Sequence, residues 1–522
     1  MIRISNIKIN PKKKDLERKI KSIIPDYKSY KIYKESVDAR HKEVSLIYTV
    51  DVEVKNEERY INNKNIRKVS CINYKYEITG EEELEYRPTI VGAGPSGLFA
   101  AYFLSLSGYK PLIIERGKDI NERRKDVDNF FKNGKLLENS NVQFGLGGAG
   151  LFSDGKLSTG VNDKEGRIKE VLELFVKFGA YDDILYSNHP HIGTDVLIKV
   201  IKNMKEEIES LGGEFRFNST LTNIKIENNK VIGVYINDEF IKTNILILGI
   251  GNSSRDTFKM LNKNNVIMIS KPFAVGFRVV HERLFIDNAM YGKYSKYLDP
   301  ASYKLTYNNN GHGVYSFCMC PGGYVINASS YKGKLTVNGM SNYKRDSKYS
   351  NSAIVVTVGP KDYGDKLFDG LNFQDKIEEK AYNLAHGLIP AQSFNDFKNN
   401  KISNFEIPDA FKGKTKISNL REILPDYLNK EIINGMEYFD TKIKGFSKCT
   451  MAGIEARTSS PIKIERDDDF LSNIKGLYPI GEGSGHSGGI TTSAVDGIKC
   501  FECIIKKYAP FKRWYYVGRR NI

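Results

Sequence analysis

Three glycines at fixed spacing, Gly92-x-Gly94-x-x-Gly97, stand between an apolar run, Pro88-Thr89-Ile90-Val91, and a second one, Leu98-Phe99-Ala100-Ala101. Gly92 allows a tight turn out of a strand, Gly94 lets an anion come close to the main chain, and Gly97 lets a helix pack on a sheet. A helix beginning at Pro95 and Ser96 points unpaired N–H groups and a partial positive charge at that anion. Further on, Pro111-Leu112-Ile113-Ile114-Glu115 reads as a second strand ending in an acid, followed by Arg116. Glu115 is placed to accept hydrogen bonds from ribose hydroxyls and would repel a 2′-phosphate. Strand, turn, helix, second strand and acid together make a dinucleotide-binding fingerprint.

Other residues have chemistry to offer. Cys318 and Cys320 precede a Pro321-Gly322-Gly323 turn. With Phe317–Cys320 read as a strand, the two thiols are expected on opposite faces and to make a poor redox disulfide. Two thiols alone cannot complete a zinc site, and packing as small hydrophobes is the expected role, ahead of contact with substrate or cofactor. Cys500-x-x-Cys503 falls late in a helical pattern, where no helix start stabilises a thiolate, so core packing is expected there too. His486 and His312 are candidates for proton transfer. Arg457 is a candidate anchor for an anion, with a surface salt bridge as the alternative. No metal site is expected.

The elements that must position these groups follow from periodicity. Residues 1–86 read as a small α+β module: a strand Ile2–Ile9, a helix over Lys13–Ile24, strands at Tyr30–Lys34 and Val44–Val54, then an acidic linker at Gly80–Glu85. Residues 87–270 read as the first part of a discontinuous Rossmann-like α/β domain. Within it Thr194 and Asp195 can cap a helix that Gly212-Gly213 ends, and Asn228-Asn229 marks a hairpin. Residues 271–470 read as an inserted antiparallel β-rich substrate or cap domain. Residues 471–522 return to the first domain, with a strand before Gly481-Glu482-Gly483 and a final helix over Ile490–Lys507. A β-meander between helix and last strand is the habit of FAD domains, by analogy.

At 522 residues the chain exceeds one ordinary core. The longest apolar stretches, Leu98–Leu106 and Ile245–Ile250, are too short to span a bilayer, and the start lacks signal-peptide character, so the expected location is cytoplasmic. Six cysteines in so long a chain do not form a disulfide framework. The net charge of +16 is spread along the chain without a dense basic block, which disfavours nucleic acid as a partner.

Four runs carry a resemblance. They are the fingerprint, Asn141-Val142-Gln143-Phe144-Gly145-Leu146-Gly147-Gly148-Ala149-Gly150-Leu151-Phe152-Ser153-Asp154-Gly155-Lys156-Leu157, Ser316-Phe317-Cys318-Met319-Cys320-Pro321-Gly322-Gly323, and Gly481-Glu482-Gly483-Ser484-Gly485-His486-Ser487-Gly488-Gly489-Ile490. The chain resembles the uncharacterised FAD-dependent dehydrogenases, two-domain relatives of the glutathione-reductase-type FAD fold. Leu146, Asn252 and His486 depart from the pattern, standing where an acid, a histidine and an aromatic are usual.

The resemblance implies FAD as cofactor and an oxidoreductase acting on a small organic substrate between the domains. Gly147, Gly148 and Gly150 are then expected close to the flavin or its diphosphate. Lys156 is expected near the flavin edge or in an ordinary ion pair. Gly251, Gly481, Glu482, Gly489 and Ile490 complete the expected cofactor set, Glu482 holding ribityl hydroxyls and the helix start facing the ring. No second fingerprint is present, so electrons are expected from transient NAD(P)H, a protein carrier or the substrate. The alternatives are a flavoprotein acting on RNA and a non-catalytic flavin-binding redox sensor.

Overall fold

The computed structural model describes residues 1–511 except 14, 42, 71, 309 and 310. The last residues of the 471–522 segment, from 512 onward, lie outside the described residues.

The chain begins with β1 (Ile2–Ile9), α1 (Leu16–Ile23), β2 (Ser29–Asp38), β3 (Ser45–Glu53) and β4 (Ile66–Lys68). The strands pair in the order β2-β3-β1-β4. Alternation along β3 buries Leu46, Tyr48, Val50 and Val52 beneath α1, forming a core of their own. The helix starts at Leu16 rather than Lys13 because Asp15 caps it, accepting from the Arg18 N–H. The module touches the body through Glu35, which exchanges backbone hydrogen bonds with Tyr186 and Asn188, and the insert through Glu43, which pairs with Lys293 at 2.7 Å.

The stretch after β4 follows the body instead. Tyr74 and Tyr76 set their rings edge-on against Phe103 and Phe501, at 5.6 and 4.9 Å. Thr79, Gly80 and Glu82 donate backbone N–H groups to Ile505 and Lys507, at the end of the final helix.

The body is a five-stranded parallel sheet. Its first strands and helices are β5 (Thr89–Val91), α2 (Pro95–Leu106), β6 (Leu112–Ile114), α3 (Ile120–Asn133), α4 (Arg167–Lys177), α5 (Thr194–Ser210) and β7 (Glu214–Arg216). A meander follows: β8 (Leu221–Glu227), β9 (Lys230–Ile236) and β10 (Glu239–Lys242), before β11 (Leu246–Leu248). The sheet order is the strand Leu477–Pro479, then β11, β5, β6 and β7. Its strands are buried on both faces, as parallel strands must be when both sides are covered. Helices α2, α4, α5 and Ile490–Lys507 cover one face; the meander and the helix Arg255–Lys263 cover the other. Asn228 and Asn229 both take positive φ, 49° and 60°, the geometry of a tight hairpin turn.

The insert leaves and re-enters through a neck of two strands, Met268–Ser270 and Ile462–Ile464, paired antiparallel. It is built on a seven-stranded sheet, antiparallel except for one edge pair, beside a three-stranded sheet. Its long central strands, Phe273–Glu282 and Tyr349–Val358, are buried almost throughout. Thr194 and Asp195 do not cap α5: Gly193 holds that position, while Thr194 donates to Ser153 O and Asp195 accepts from the Tyr343 N–H. Both side chains were needed to tie α5 to neighbouring segments.

Candidate functional site: a cleft between the body and the insert

A cleft of about 400 Å³ runs from the fingerprint to the inner edge of the insert. On the fingerprint side the main chain shapes it. Gly92 turns with φ 101°, and a Cβ there would lie 2.1 Å from Gly249 O. A Cβ on Gly97 would lie 1.9 Å from Gly92 O, so this glycine serves packing and does not line the cleft. Gly94 caps α2 with no side-chain hydrogen bond, and Pro95 follows. The Ser96 and Gly97 N–H groups have no intrahelical partner. A Cβ on Gly94 would meet only Gly148 Cα, at 3.8 Å, so the space before the helix is open. This cradle fits a diphosphate.

Glu115 is buried at the end of β6. Its Oε1 accepts the Gly117 and Gly145 N–H groups at 2.8 and 2.9 Å, and its Oε2 accepts that of Ala93 at 2.9 Å. The acid therefore ties the fingerprint turn to the glycine-rich loop, while Oε2 keeps acceptor capacity beside the cleft. Arg116 bonds Asp256 at 2.6 Å and lies 4.8 Å above the Phe144 ring.

Arg123, absent from the sequence-derived set, organises this side. Its guanidinium is fully buried and donates to the carbonyls of Asn141, Val142, Gly145, Leu146 and Gly148 at 2.7–3.1 Å. Burial lowers its pKa to about 10, which keeps it charged near neutrality. The helical stripe Ile120, Arg123, Val127, Phe130 is the signal that marked it, an arginine at an apolar position. Gly148 and Gly150 line the cleft, whereas Gly147 turns away to donate to Ala93 O.

On the far side, charged side chains shape the cleft. Lys156 bonds Met319 O and lies 2.9 Å from Asp154. Asp154, 1% exposed, also accepts from Ser341 and twice from Arg345. Burial pushes this carboxyl up, but Lys156 and Arg345 together hold it below the usual range. Arg278 and Glu455 form a second buried pair, at 2.5 and 3.0 Å.

Glu482 lines the cleft and accepts from Asn252 Nδ2 at 2.7 Å. Burial pushes its carboxyl up to about 7, opposed by Lys271 and Asn252. Gly251, Gly489 and Ile490 also border the space, and Gly489 leaves the start of the last helix without a side-chain cap. Gly481 sits behind, its N–H bonded to Asp496.

Arg457 borders the cleft, but its donors are engaged by Glu378, Ser253 and Ser330. Its salt bridge is buried rather than at the surface. His486 is outside the cleft, bonded to Ile464 O, and His312 is on the insert beside Thr357 O and Asp362. Cys500 and Cys503 pack in the body's core, where burial raises both thiols.

Cys318 lines the cleft, and Cys320 is fully buried behind it. The expectation of opposite faces is corrected: residues two apart on a regular strand share a face. Here the pairing slips between Phe317 and Cys320, and the Cys320 thiol reaches Cys318 O at 3.3 Å. Packing alone does not describe Cys318, which is half-buried at a polar wall.

A doubly covered parallel sheet, an open helix N-terminus and an acid after the second strand define a dinucleotide-cofactor protein. Comparison with known proteins gives the rest. Residues 272–458 match the family of FAD-dependent proteins, C-terminal domain-like; residues 90–131 match an NAD(P)-binding Rossmann-like domain, and residues 1–53 a domain of unknown function. An uncharacterised protein of Clostridium beijerinckii is 41% identical over 534 residues, covering 97% of this chain and 99% of its own. The chain belongs to the same family, one of FAD-dependent oxidoreductases whose cofactor is FAD.

Solved structures show weaker likeness. A geranylgeranyl bacteriochlorophyll reductase-like protein from Thermoplasma acidophilum is 14% identical, with a TM-score of 0.34 and coverage of 81% of this chain and 78% of that one. Glycine oxidase from Bacillus cereus is 13% identical, with a TM-score of 0.34 and coverage of 81% and 98%. Among the described residues, no helix is long and apolar enough to cross a membrane.

Proposed function

We propose that the chain is an FAD-dependent dehydrogenase or reductase that exchanges an electron pair with a small organic substrate in the cleft between body and insert. The observation that carries this reading is the continuity of the cleft: one space joins the α2 N-terminus to the charged wall around Cys318, Lys156 and Glu482. In this reading the open end of α2, Gly148 and Gly150 hold the diphosphate, and Glu115 borders the ribose. Gly489, Ile490 and Glu482 border the opposite part of the cofactor. Bound there, FAD supplies two-electron oxidation and reduction.

The chain's own groups do the rest. Asp154 and Met319 O hold the Lys156 ammonium beside the cleft, so positive charge faces the reacting region. Glu482, with its carboxyl near neutrality in pKa, can hold or release a proton at the cleft wall. Arg457 has its donors committed and braces the wall rather than reaching for substrate.

The test is anaerobic mixing of the yellow holoprotein with NADH, with NADPH and with candidate organic donors. Loss of flavin absorbance, followed by its rapid return with an acceptor, is the expected result. Folded protein that shows no flavin bands and takes up no FAD would overturn the reading. Protein that binds FAD but exchanges electrons with no donor would reduce it to a flavin-binding scaffold.

A further inference from the structure

Cys318 is held in a conformation that residues with side chains seldom adopt. Its φ is 42°, at the slip in pairing between the strands Gly313–Cys320 and Tyr349–Val358. Such geometry persists only where the surroundings impose it. Arg278, fully buried, imposes it here: Nη1 donates to Cys318 O at 2.9 Å and lies 3.8 Å from Cys320 Sγ. The charge of Arg278 is in turn met by Glu455, and Asn338 and Asn351 accept its remaining N–H groups. Gly339 leaves the space for this arrangement, since a Cβ there would lie 2.3 Å from Arg278 Nη1 and 2.6 Å from Cys320 Sγ.

The result is two adjacent thiols with unequal access. Cys318 opens on the cleft; Cys320 lies behind it, its thiol 3.3 Å from the Cys318 carbonyl oxygen. Two cations lie around Cys318: Arg278 bonds its carbonyl, and Lys156 bonds the carbonyl of the next residue, Met319, and pairs with Asp154. Cys500 and Cys503 show what cysteines kept for packing look like: both lie on one helix within an apolar core.

We propose that Cys318 and Cys320 are a dithiol–disulfide couple that exchanges with a small-molecule disulfide entering the cleft. This names a substrate class for the cleft of the proposed function. The Cys318 thiolate attacks one sulfur of the disulfide R–S–S–R′. The S–S bond breaks, R′S⁻ leaves and takes up a proton, and a Cys318–S–S–R bond forms. Cys320 then loses its proton and attacks Cys318 Sγ, releasing the second thiol and closing a Cys318–Cys320 bond. Two protein thiols are oxidised and one external disulfide is reduced to two thiols. Reopening the protein disulfide takes two electrons and two protons; a two-electron redox cofactor bound in the same cleft would supply the electrons.

The electrostatics agree. The Cys320 hydrogen bond, then Lys156 and Arg278, hold the Cys318 thiol well below its usual range against the effect of burial. The same hydrogen bond and burial push Cys320 well above its own. A cleft-lining thiol of lowered pKa backed by a buried thiol of raised pKa is the division of labour that exchange requires.

The experiment is thiol mapping on the full-length flavin-bound protein. Under anaerobic conditions the protein is treated with oxidised glutathione, alkylated with N-ethylmaleimide, digested and analysed by mass spectrometry. The peptide carrying Cys318 and Cys320 is expected to lose both maleimide groups and to be two hydrogens lighter. Cys320→Ser should retain glutathione on Cys318, and Cys318→Ser should take up none at position 320. Before oxidation, Cys318 should alkylate at least about tenfold faster than Cys500.

The inference is overturned if both thiols of the wild-type protein stay fully alkylatable at glutathione disulfide levels that oxidise dithiothreitol. It is also overturned if Cys320→Ser carries glutathione elsewhere but not on Cys318. Flavin absorbance, recorded on every variant, reports the fold and the cofactor reading separately. A yellow protein with inert thiols defeats the couple alone, while a colourless folded protein with exchanging thiols supports the couple and defeats the cofactor reading.

Discussion

At the Gly94 side of the cleft the main chain forms the site; at the Cys318 side the side chains do. The first needs bare backbone, open N–H groups and a buried arginine to hold a loop in place. The second is a set of charges, Asp154 with Lys156 and Arg345, and Glu455 with Arg278, contributed by segments far apart in sequence. Backbone geometry suits a ligand whose charge and shape do not change. Side-chain charges suit a region where charge moves. The difference teaches that affinity and chemistry can be disturbed one at a time.

The strongest way to break the comparison is at the main-chain side. Gly94→Glu places a carboxylate in the open space before α2, and the purified protein should be colourless; full FAD content in this variant would refute the seat. Arg123→Ala comes next. It leaves five carbonyls of the glycine-rich loop without their donor, and FAD affinity should fall by about 100-fold or more, on the scale of buried charged hydrogen bonds. Fluorescence titration of the apoprotein reads this.

Asp154→Asn tests the other side. Removing one partner of a buried ion pair costs about 3–5 kcal/mol, so the thermal midpoint should drop by several degrees. FAD affinity should stay within about threefold of wild type, because no main-chain contact of the seat changes. An equal loss of affinity in the Arg123 and Asp154 variants would mean that the two sides are one unit.

Glu482 gives a smaller, pH-dependent effect. Its carboxyl is raised to about 7, so the folded chain holds this proton longer than the unfolded chain does. Its contribution to stability is full below the ordinary glutamate range and is lost as pH rises through about 7. Glu482→Gln should lack that decline. Denaturant midpoints for both apoproteins at about pH 5 and about pH 8 measure it, and identical pH trends would show that Glu482 titrates normally.

The smallest effect is expected from removing residues 1–70. The module has its own core, and FAD affinity should change by no more than about twofold, as additivity predicts for distant regions. Removing 1–86 takes Tyr74 and Tyr76 off Phe103 and Phe501 as well, and should lower the thermal midpoint further.

The main-chain side was legible in the sequence because its parts are contiguous. Gly92 to Gly97 spells strand, turn and helix, and Asn228-Asn229 spells a hairpin. The final helix, Ile490–Lys507, follows its glycines directly. The side-chain side was not legible as an assembly. Asp154 and Arg345 are 191 residues apart, and Arg278 and Glu455 are 177 apart, so no local pattern joins them. Single signals did exist: Arg123 interrupts an apolar helical stripe, and Arg278 interrupts the run Phe273-Ala274-Val275-Gly276-Phe277-Arg278-Val279-Val280. A charged residue in such a place has to find partners, which the sequence does not name.

The strap from Tyr74 to Glu82 lies along the final helix, and beyond it Ala509 donates its N–H to Glu82 O. The segment entering the nucleotide fold is thus stitched to the one leaving it, while the neck strands clasp the insert at its root. A protease that nicks the insert should yield two bands on a denaturing gel from a particle that still elutes as one.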